Sequence, residues 1–328
     1  MTYAVTVVIP TYNRRVMVRE AVESVLAQRG ASFELIVIDD GSGDGTYEDL
    51  SCLASERSGV AGAAIRIERT KNRGPAAARN LGAALARAPL LAFLDSDDLW
   101  HPDKLARQIE FMRANPAVAI SQCQEIWIRN GRRVNPGRRH LKRAGDIFIE
   151  SLRTCLVSPS AAIVRTDLFR AAGGFDATMA AAEDYDLWLR LLVDREIGLQ
   201  DEFLVTRRAG HSDQLSAATP ALDRFRILAL AKLLASPVLC FDRRDAAAGV
   251  LAEKCRIYAK GLKRRGRRDE AGFFDRVAAR ALSAWRAHAE ESLLSAIASI
   301  CKIVSGEQTD GEGFDVSMAG QGPFAPPN

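Results

Sequence analysis

Leu90-Leu91-Ala92-Phe93-Leu94-Asp95-Ser96-Asp97-Asp98 decides the fold class. An apolar run this short predicts a strand buried on both faces, and the carboxylates that follow end it abruptly in a polar crevice. The same pattern recurs outward from it. Residues 5–9 form an apolar run ended by Pro10, and residues 35–38 form another ended by Asp39-Asp40-Gly41-Ser42; residues 65–67 are a weaker third. Between the first two runs, Val18, Val22, Val25 and Leu26 fall on one helical face. A second helix opens at Gly74-Pro75, with proline suited to a first turn, and passes Leu81 and Leu85 to Ala88. Strands alternating with helices predict an α/β fold, a mostly parallel Rossmann-like sheet flanked by helices.

Further along, strands are expected at 119–128, 160–164 and 204–206, and helices at 167–172 and 185–193. From about 222 to 304 the pattern is wholly helical, with a hairpin turning near Gly266 and a stripe of Leu282, Trp285, Leu293, Ile297 and Ile300. Residues 305–328 lose their hydrophobics and gain Gly, Pro and Asp, the composition of a disordered tail. The expected organisation is therefore a domain over 1–215, a helical extension over 216–304 and the tail.

The chain has 328 residues, 48% hydrophobic and 26% charged, which excludes wholesale disorder and a disulfide-stapled miniature. Forty-five Lys and Arg against 41 Asp and Glu leave a net charge of +4, too even for a dedicated nucleic-acid binder. The basic runs at 138–143 and 263–268 read as solvated surface, with an anionic acceptor or membrane surface as the other reading. Six cysteines without a C-x-x-C pair read as reduced thiols of a cytoplasmic protein. The sequence runs straight into its first strand, so no signal peptide is expected, and no apolar window is long enough for a membrane span.

In open α/β sheets ligands gather beyond the carboxyl ends of the strands. Those ends here carry Pro10-Thr11-Tyr12-Asn13-Arg14, Asp39-Asp40 and Asp95-Ser96-Asp97-Asp98. Asp95 and Asp97, two apart in extended chain, share one side. Carboxylates held that close suit Mg²⁺ or Mn²⁺, which complete their shell with phosphate oxygens and water. The alternative is an acidic turn in which Asp98 caps the helix starting near His101-Pro102-Asp103.

These blocks have a known counterpart. Val7-Val8-Ile9-Pro10-Thr11-Tyr12-Asn13, Ile38-Asp39-Asp40-Gly41-Ser42, Asn72-Arg73-Gly74-Pro75 with Ala78-Arg79-Asn80-Leu81-Gly82, Phe93-Leu94-Asp95-Ser96-Asp97-Asp98, and Gly173-Gly174-Phe175-Asp176 followed by Glu183-Asp184-Tyr185-Asp186-Leu187-Trp188 stand in order. Together they resemble family 2 glycosyltransferases of GT-A fold over roughly residues 5–215, and the resemblance implies a nucleotide-binding part over about 1–115 and an acceptor part over about 116–215. The resemblance implies a nucleotide-sugar donor, UDP-linked by preference, a divalent cation (Mn²⁺ or Mg²⁺) and inversion at the anomeric carbon. The partner is then a glycan or lipid-linked hydroxyl acceptor in surface polysaccharide assembly, with peripheral contact at the inner membrane face left open.

On that resemblance Pro10 and Tyr12 line the donor site, Tyr12 stacking on the base or, alternatively, packing the crevice edge. Asp40 accepts from a base N–H, and Asp39 braces its loop. Arg79 approaches the donor phosphates or, alternatively, forms a surface ion pair. Asp97 holds the metal, with Asp95 on the ribose or the same ion. Asp184 is the general base or, alternatively, a helix N-cap. Glu183 orients Asp184 or the acceptor, and Trp188 belongs to the core. His211 stands on a closing loop as a metal ligand, although the commoner Tyr-Arg-x-His spacing is absent. Two other readings remain: a sugar-phosphate nucleotidyltransferase, which lacks here its glycine-rich loop after strand one, and a non-catalytic nucleotide- or glycan-binding module.

Overall fold

The computed structural model describes residues 3–57, 63–135, 137, 140–211, 221–283 and 300. Four parallel strands form one half of the sheet: β1 (Val5–Thr11), β2 (Phe33–Asp39), β3 (Ala63–Arg69) and β4 (Leu90–Phe93), in the order β3-β2-β1-β4. Every residue of β1 and β2 is buried, which is why both read as unbroken apolar runs. Helices α1 (Arg15–Leu26), α2 (Thr46–Arg57) and α3 (Pro75–Leu85) connect them. No signal announced α2 in the sequence; Leu50 and Leu53 alone give its apolar face, too little for a periodic pattern.

The α3 helix packs through small residues. Its buried face is Ala76, Ala78, Arg79, Gly82 and Ala83, whereas Leu81 is exposed and the helix stops at Leu85, short of the expected Ala88. A Cβ at Gly82 would stand 2.3 Å from Val8 Cγ1, so glycine is what lets α3 lie against β1.

Beyond β4 the sheet turns antiparallel. After the short β5 (Leu99–Trp100) and α4 (Lys104–Ala114) come β6 (Ile120–Arg129), β7 (Arg132–Val134), α5 (Phe148–Arg153), β8 (Ala162–Arg165), α6 (Thr166–Ala171), α7 (Glu183–Leu192) and β9 (Gly198–Ala209). The full order is β3-β2-β1-β4-β8-β6-β9-β5, with β7 on β6. The β8 strand is antiparallel to both β4 and β6, and β9 runs parallel to β6. Only residues 204–206 of β9 were expected as strand, because its outer half alternates with polar residues.

Three further helices follow: α8 (Asp223–Ala235), α9 (Phe241–Arg264) and α10 (Arg268–Ser283), the last two forming the expected hairpin about Gly266, whose φ is +78°. Their buried residues, among them Leu230, Leu251 and Phe274, belong to one continuous core with Phe93, Phe175 and Trp188. The basic run 263–268 is exposed as expected, but Lys142 of the other run is buried against Glu125, because a buried carboxylate demands a partner. The described cysteines are free thiols, and no helix among the described residues is long and apolar enough to cross a membrane. The expected tail, the segment 212–216 of the loop after β9, and Trp285, Leu293 and Ile297 lie outside the described residues.

Candidate active site

A cavity of about 940 Å³ opens where β1, β2 and β4 end, and α7, β9 and α8 close its far side. Pro10, Tyr12, Asp40, Arg79, Asp95, Asp97, Glu183 and Asp184 all line it. Eight residues spread over 175 positions of sequence thus meet in one place, and they do so because the parallel strands all end on the same edge.

Tyr12 is 46% exposed at the rim, an available ring face rather than a packed edge. Behind it Asn13, at φ 49°, donates its backbone N–H to Ser42 Oγ (2.8 Å), and its Oδ1 accepts from Gly43 N (2.8 Å), so the β1 and β2 loops are stitched together. Asp39 braces the loop as expected, accepting from Ser42 N at 3.2 Å. Asp40 is fixed by the backbone N–H groups of Arg73 (3.0 Å) and Gly74 (2.7 Å), at the entry to α3. Burial raises its pKa in spite of those donors.

Asp95, Asp97 and Asp98 each offer a carboxylate oxygen within 4.8 Å of the others. Their roles divide by partner. Asp98 is buried, with Oδ2 accepting from Ser160 Oγ (2.7 Å) and Oδ1 from Arg208 N (2.9 Å). It therefore ties the turn before β8, and β9, to the β4 loop and does not cap α4; burial, with Asp97 and Asp95 alongside, pushes its carboxyl well up. Asp97 Oδ2 faces two positive or polar groups, Arg14 Nη1 at 3.0 Å and His211 Nε2 at 2.9 Å. The clustered ligand atoms are the carboxylate oxygens of Asp95, Asp97 and Asp98, with the His211 imidazole on Asp97; hard oxygens and an imidazole are donors of the kind that Mg²⁺ or Mn²⁺ takes. Arg14 on Asp97 Oδ2 would compete with a cation for that oxygen, and the sequence did not single it out because it follows Asn13 as one more loop residue.

Arg79 lines the cavity and is ion-paired, although the pairs are buried and not on the surface: Nη2 donates to Asp95 Oδ1 (2.7 Å) and Nη1 to Glu183 Oε1 (2.6 Å). Against the cost of burial, Asp95 and Glu183 raise its pKa, so it stays charged. It is a strut that holds the β4 loop to the start of α7. Glu183 serves that strut and does not touch Asp184's carboxylate among the hydrogen bonds of the described residues.

Asp184 lies in the first turn of α7, not ahead of it. The N-cap position is Ala182, left-handed at φ 59°, so Asp184 is not the N-cap residue, although its carboxylate does satisfy one N–H of the first turn. Its Oδ1 accepts from the N–H of Tyr185 (2.7 Å), and the Cys155 thiol donates toward Oδ2 at 3.8 Å. Leu187, Leu191, Leu192 and Trp188 anchor the helix in the core.

The far wall adds groups that the sequence did not single out: Trp127, His140, Cys155, Arg207 and Arg226. Behind it lies Glu125, which accepts from Trp127 Nε1 (3.0 Å) and faces Lys142 Nζ at 3.4 Å. Against burial, which raises it, Lys142 and Arg207 hold its carboxyl at about 2. The Thr206-Arg207-Arg208 end of β9 was the available signal.

The comparisons with known proteins agree with this geometry. Over 200 residues the chain is 34% identical to an uncharacterized glycosyltransferase of Rickettsia felis, a match covering 61% of this chain and 32% of that protein's length. Over 198 residues it is 29% identical to the Escherichia coli protein WfgD, named UDP-Glc:alpha-D-GlcNAc-diphosphoundecaprenol beta-1,3-glucosyltransferase, covering 60% of this chain and 72% of that one. The fold matches S. aureus TarS 1-349 in complex with UDP-GlcNAc at a TM-score of 0.66 and 19% identity, over 94% of this chain and 93% of that chain. It also matches the mannosyltransferase PcManGT from Pyrobaculum calidifontis, in complex with GDP-Man and Mn²⁺, at 0.57 and 19%, over 94% and 89%. The sheet flanked by helices is thus the GT-A fold. The family model for glycosyl transferase family 2 matches residues 6–173, just over half of the chain, and the chain belongs to that family.

Proposed function

We propose that this chain is an inverting glycosyltransferase that moves a sugar from a UDP-type donor to a hydroxyl of a glycan or lipid-linked acceptor. One observation carries the reading: Asp184 and the Asp95–Asp97 cluster line the same cavity, which brings a carboxylate suited to a base and a cluster suited to the leaving group into one place. Tyr12 offers a ring for the base to stack on, and Asp40, preset by Arg73 and Gly74, offers a carboxylate to a base N–H.

Asp184 takes the proton of the acceptor hydroxyl as its oxygen attacks the anomeric carbon on the face opposite the diphosphate. The bond between that carbon and the diphosphate oxygen breaks, and inversion follows from the in-line approach. Negative charge grows on the leaving diphosphate, so help aimed there lowers the barrier more than equal help to the ground state. A divalent ion held by Asp95, Asp97 and His211 would supply that help as a Lewis acid. Arg79 keeps Asp95 and α7 in fixed register, so the distance between cluster and base is set before substrate arrives. The names and ligands of WfgD, TarS and PcManGT support a nucleotide-sugar donor and a divalent metal.

Titration with UDP, with and without Mn²⁺, followed by slow hydrolysis of a UDP-sugar, tests the reading. Asp184→Asn should keep metal-dependent UDP binding and slow turnover by about 10²- to 10⁴-fold, the usual worth of a general base. Asp97→Ala should remove the metal dependence of UDP binding. UDP binding indifferent to metal, with hydrolysis unchanged in both variants, would leave a nucleotide-binding module instead.

A further inference from the structure

The wall around Asp184 carries aromatic and cationic groups for which the donor half has no use. The His140 ring leans on Trp127 at 5.2 Å between centroids, and the Arg207 guanidinium lies over the same indole at 5.1 Å. Arg226 reaches the cavity from the first turn of α8. Arg226 is only partly neutralised, whereas Arg207 answers Asp98, Asp95 and Asp184 as well as Glu125 and keeps its charge on the cavity wall. Arg207 stands 3.9 Å from Glu125, whose charge is shared with the closer Lys142 at 3.4 Å. Arg226 stands 3.3 Å from Asp223, which also meets Lys254 at 3.6 Å. The Nε of Arg226 is buried and has no hydrogen-bond partner among the described residues. The positive charges of Arg207 and Arg226 both act on the Cys155 thiol, which itself touches Asp184. Both guanidiniums therefore line the cavity into which the carboxylate assigned as base also faces.

A neutral acceptor would fill the cavity and leave the Arg226 guanidinium, with its unpartnered Nε, desolvated with little in return. A phosphate or carboxylate would engage it and Arg207 in charge-assisted pairs, the interaction for which guanidinium geometry is suited. The apolar face of a sugar or alditol unit would cover the Trp127–His140 pair. We propose that the acceptor is an anionic glycan or polyol, its phosphate or carboxylate held between Arg207 and Arg226 and its adjoining unit seated on Trp127 and His140, so that the hydroxyl to be glycosylated meets Asp184. The inference rests on Asp184 as the base and names the acceptor class of that same site.

Ligand-observed NMR on the full chain with saturating UDP and Mn²⁺ tests it, using glycerol 3-phosphate against glycerol and methyl glucuronide against methyl glucoside. At least one anionic probe should bind about tenfold more tightly than its neutral counterpart, and added salt should erode the difference. Arg207→Gln and Arg226→Gln should each weaken that probe about tenfold while UDP affinity moves less than about twofold, and Arg226→Lys should keep part of the gain. If Arg226→Gln fails to fold, Arg207→Gln and Arg226→Lys carry the comparison. Preference for the phosphate probe points to a phosphodiester or lipid-phosphate acceptor, and for the glucuronide to a uronate polymer; either supports the inference. Equal binding of charged and neutral probes, or loss of UDP affinity in step with the probe, would overturn it. Failure of the unaltered chain to bind UDP would instead overturn the glycosyltransferase reading.

Discussion

Glu125 and Arg79 show how single residues carry charge inside this protein. Each is buried, and each is met by two opposite charges, Lys142 and Arg207 for the carboxylate and Asp95 and Glu183 for the guanidinium. Removing one member of such a set leaves an uncompensated charge, which costs more than the set itself contributes. The folded pKa of Glu125, about 2, lies below the value near 4.3 of an unfolded glutamate. Its contribution is therefore complete above about pH 4.5 and is lost as pH falls toward 2. We expect Glu125→Gln to cost about 3 kcal/mol at neutral pH and to lose less Tm than the wild type between about pH 5 and 3. Thermal melts of both proteins across that range check it. At this scale the sequence named Asp40, Asp95, Asp97 and Asp184 correctly as cavity residues, because each sits beside a strand end or helix start. It had no access to Arg79's partners, which lie 16 and 104 residues away.

The helix α3 illustrates how an element is placed. Its contact face is made of small side chains, so backbone and sheet approach closely and the terminal nitrogens of Arg79 reach Asp95 and Glu183. Asn80, one residue on, exchanges two hydrogen bonds with the backbone of Phe175 (2.7 and 2.9 Å), which holds the Gly173–Gly174 turn against it. Gly82→Ala should force Val8 aside and destabilise the protein by about 1–3 kcal/mol, seen as a lower urea midpoint with an unchanged m-value. A midpoint within error of the wild type would mean that the α3–β1 spacing relaxes freely. Hydrophobic periodicity placed this helix but misjudged its face, since it scored Leu81 and passed over alanine and glycine.

Across the whole molecule, the helices after residue 221 are fastened to the sheet domain by more than apolar contact. Lys232 on α8 reaches Asp176 at 2.5 Å and Asp186 at 2.9 Å, and Arg190 holds Asp186 from the other side at 2.9 Å. The Gly-Gly-Phe-Asp block and the α7 block thus belong to one ionic joint, and α7 also lines the cavity. Lys232→Met keeps the stem but leaves Asp176 and the buried Asp186 short of a cation, and should cost about 2 kcal/mol. It should also loosen α8, so hydrogen exchange at residues 223–235 should quicken ahead of exchange in β1 and β2. Equal protection in both proteins would show that apolar packing alone seats the helix.

The order of buried strands, the carboxylates at their ends and the family-like blocks are local features, decided by short runs of apolar and turn-forming residues, and the sequence alone determined them. Which carboxylate is free for a ligand and which is consumed in a brace depends on partners brought from distant segments. Only the tertiary structure decided that Asp98 ties strands together, that Arg79 is an internal strut, and that Trp127, Arg207 and Arg226 share a wall with Asp184. The physical reason is that periodicity records which side of an element faces the core, whereas electrostatic roles are set by distances across the fold.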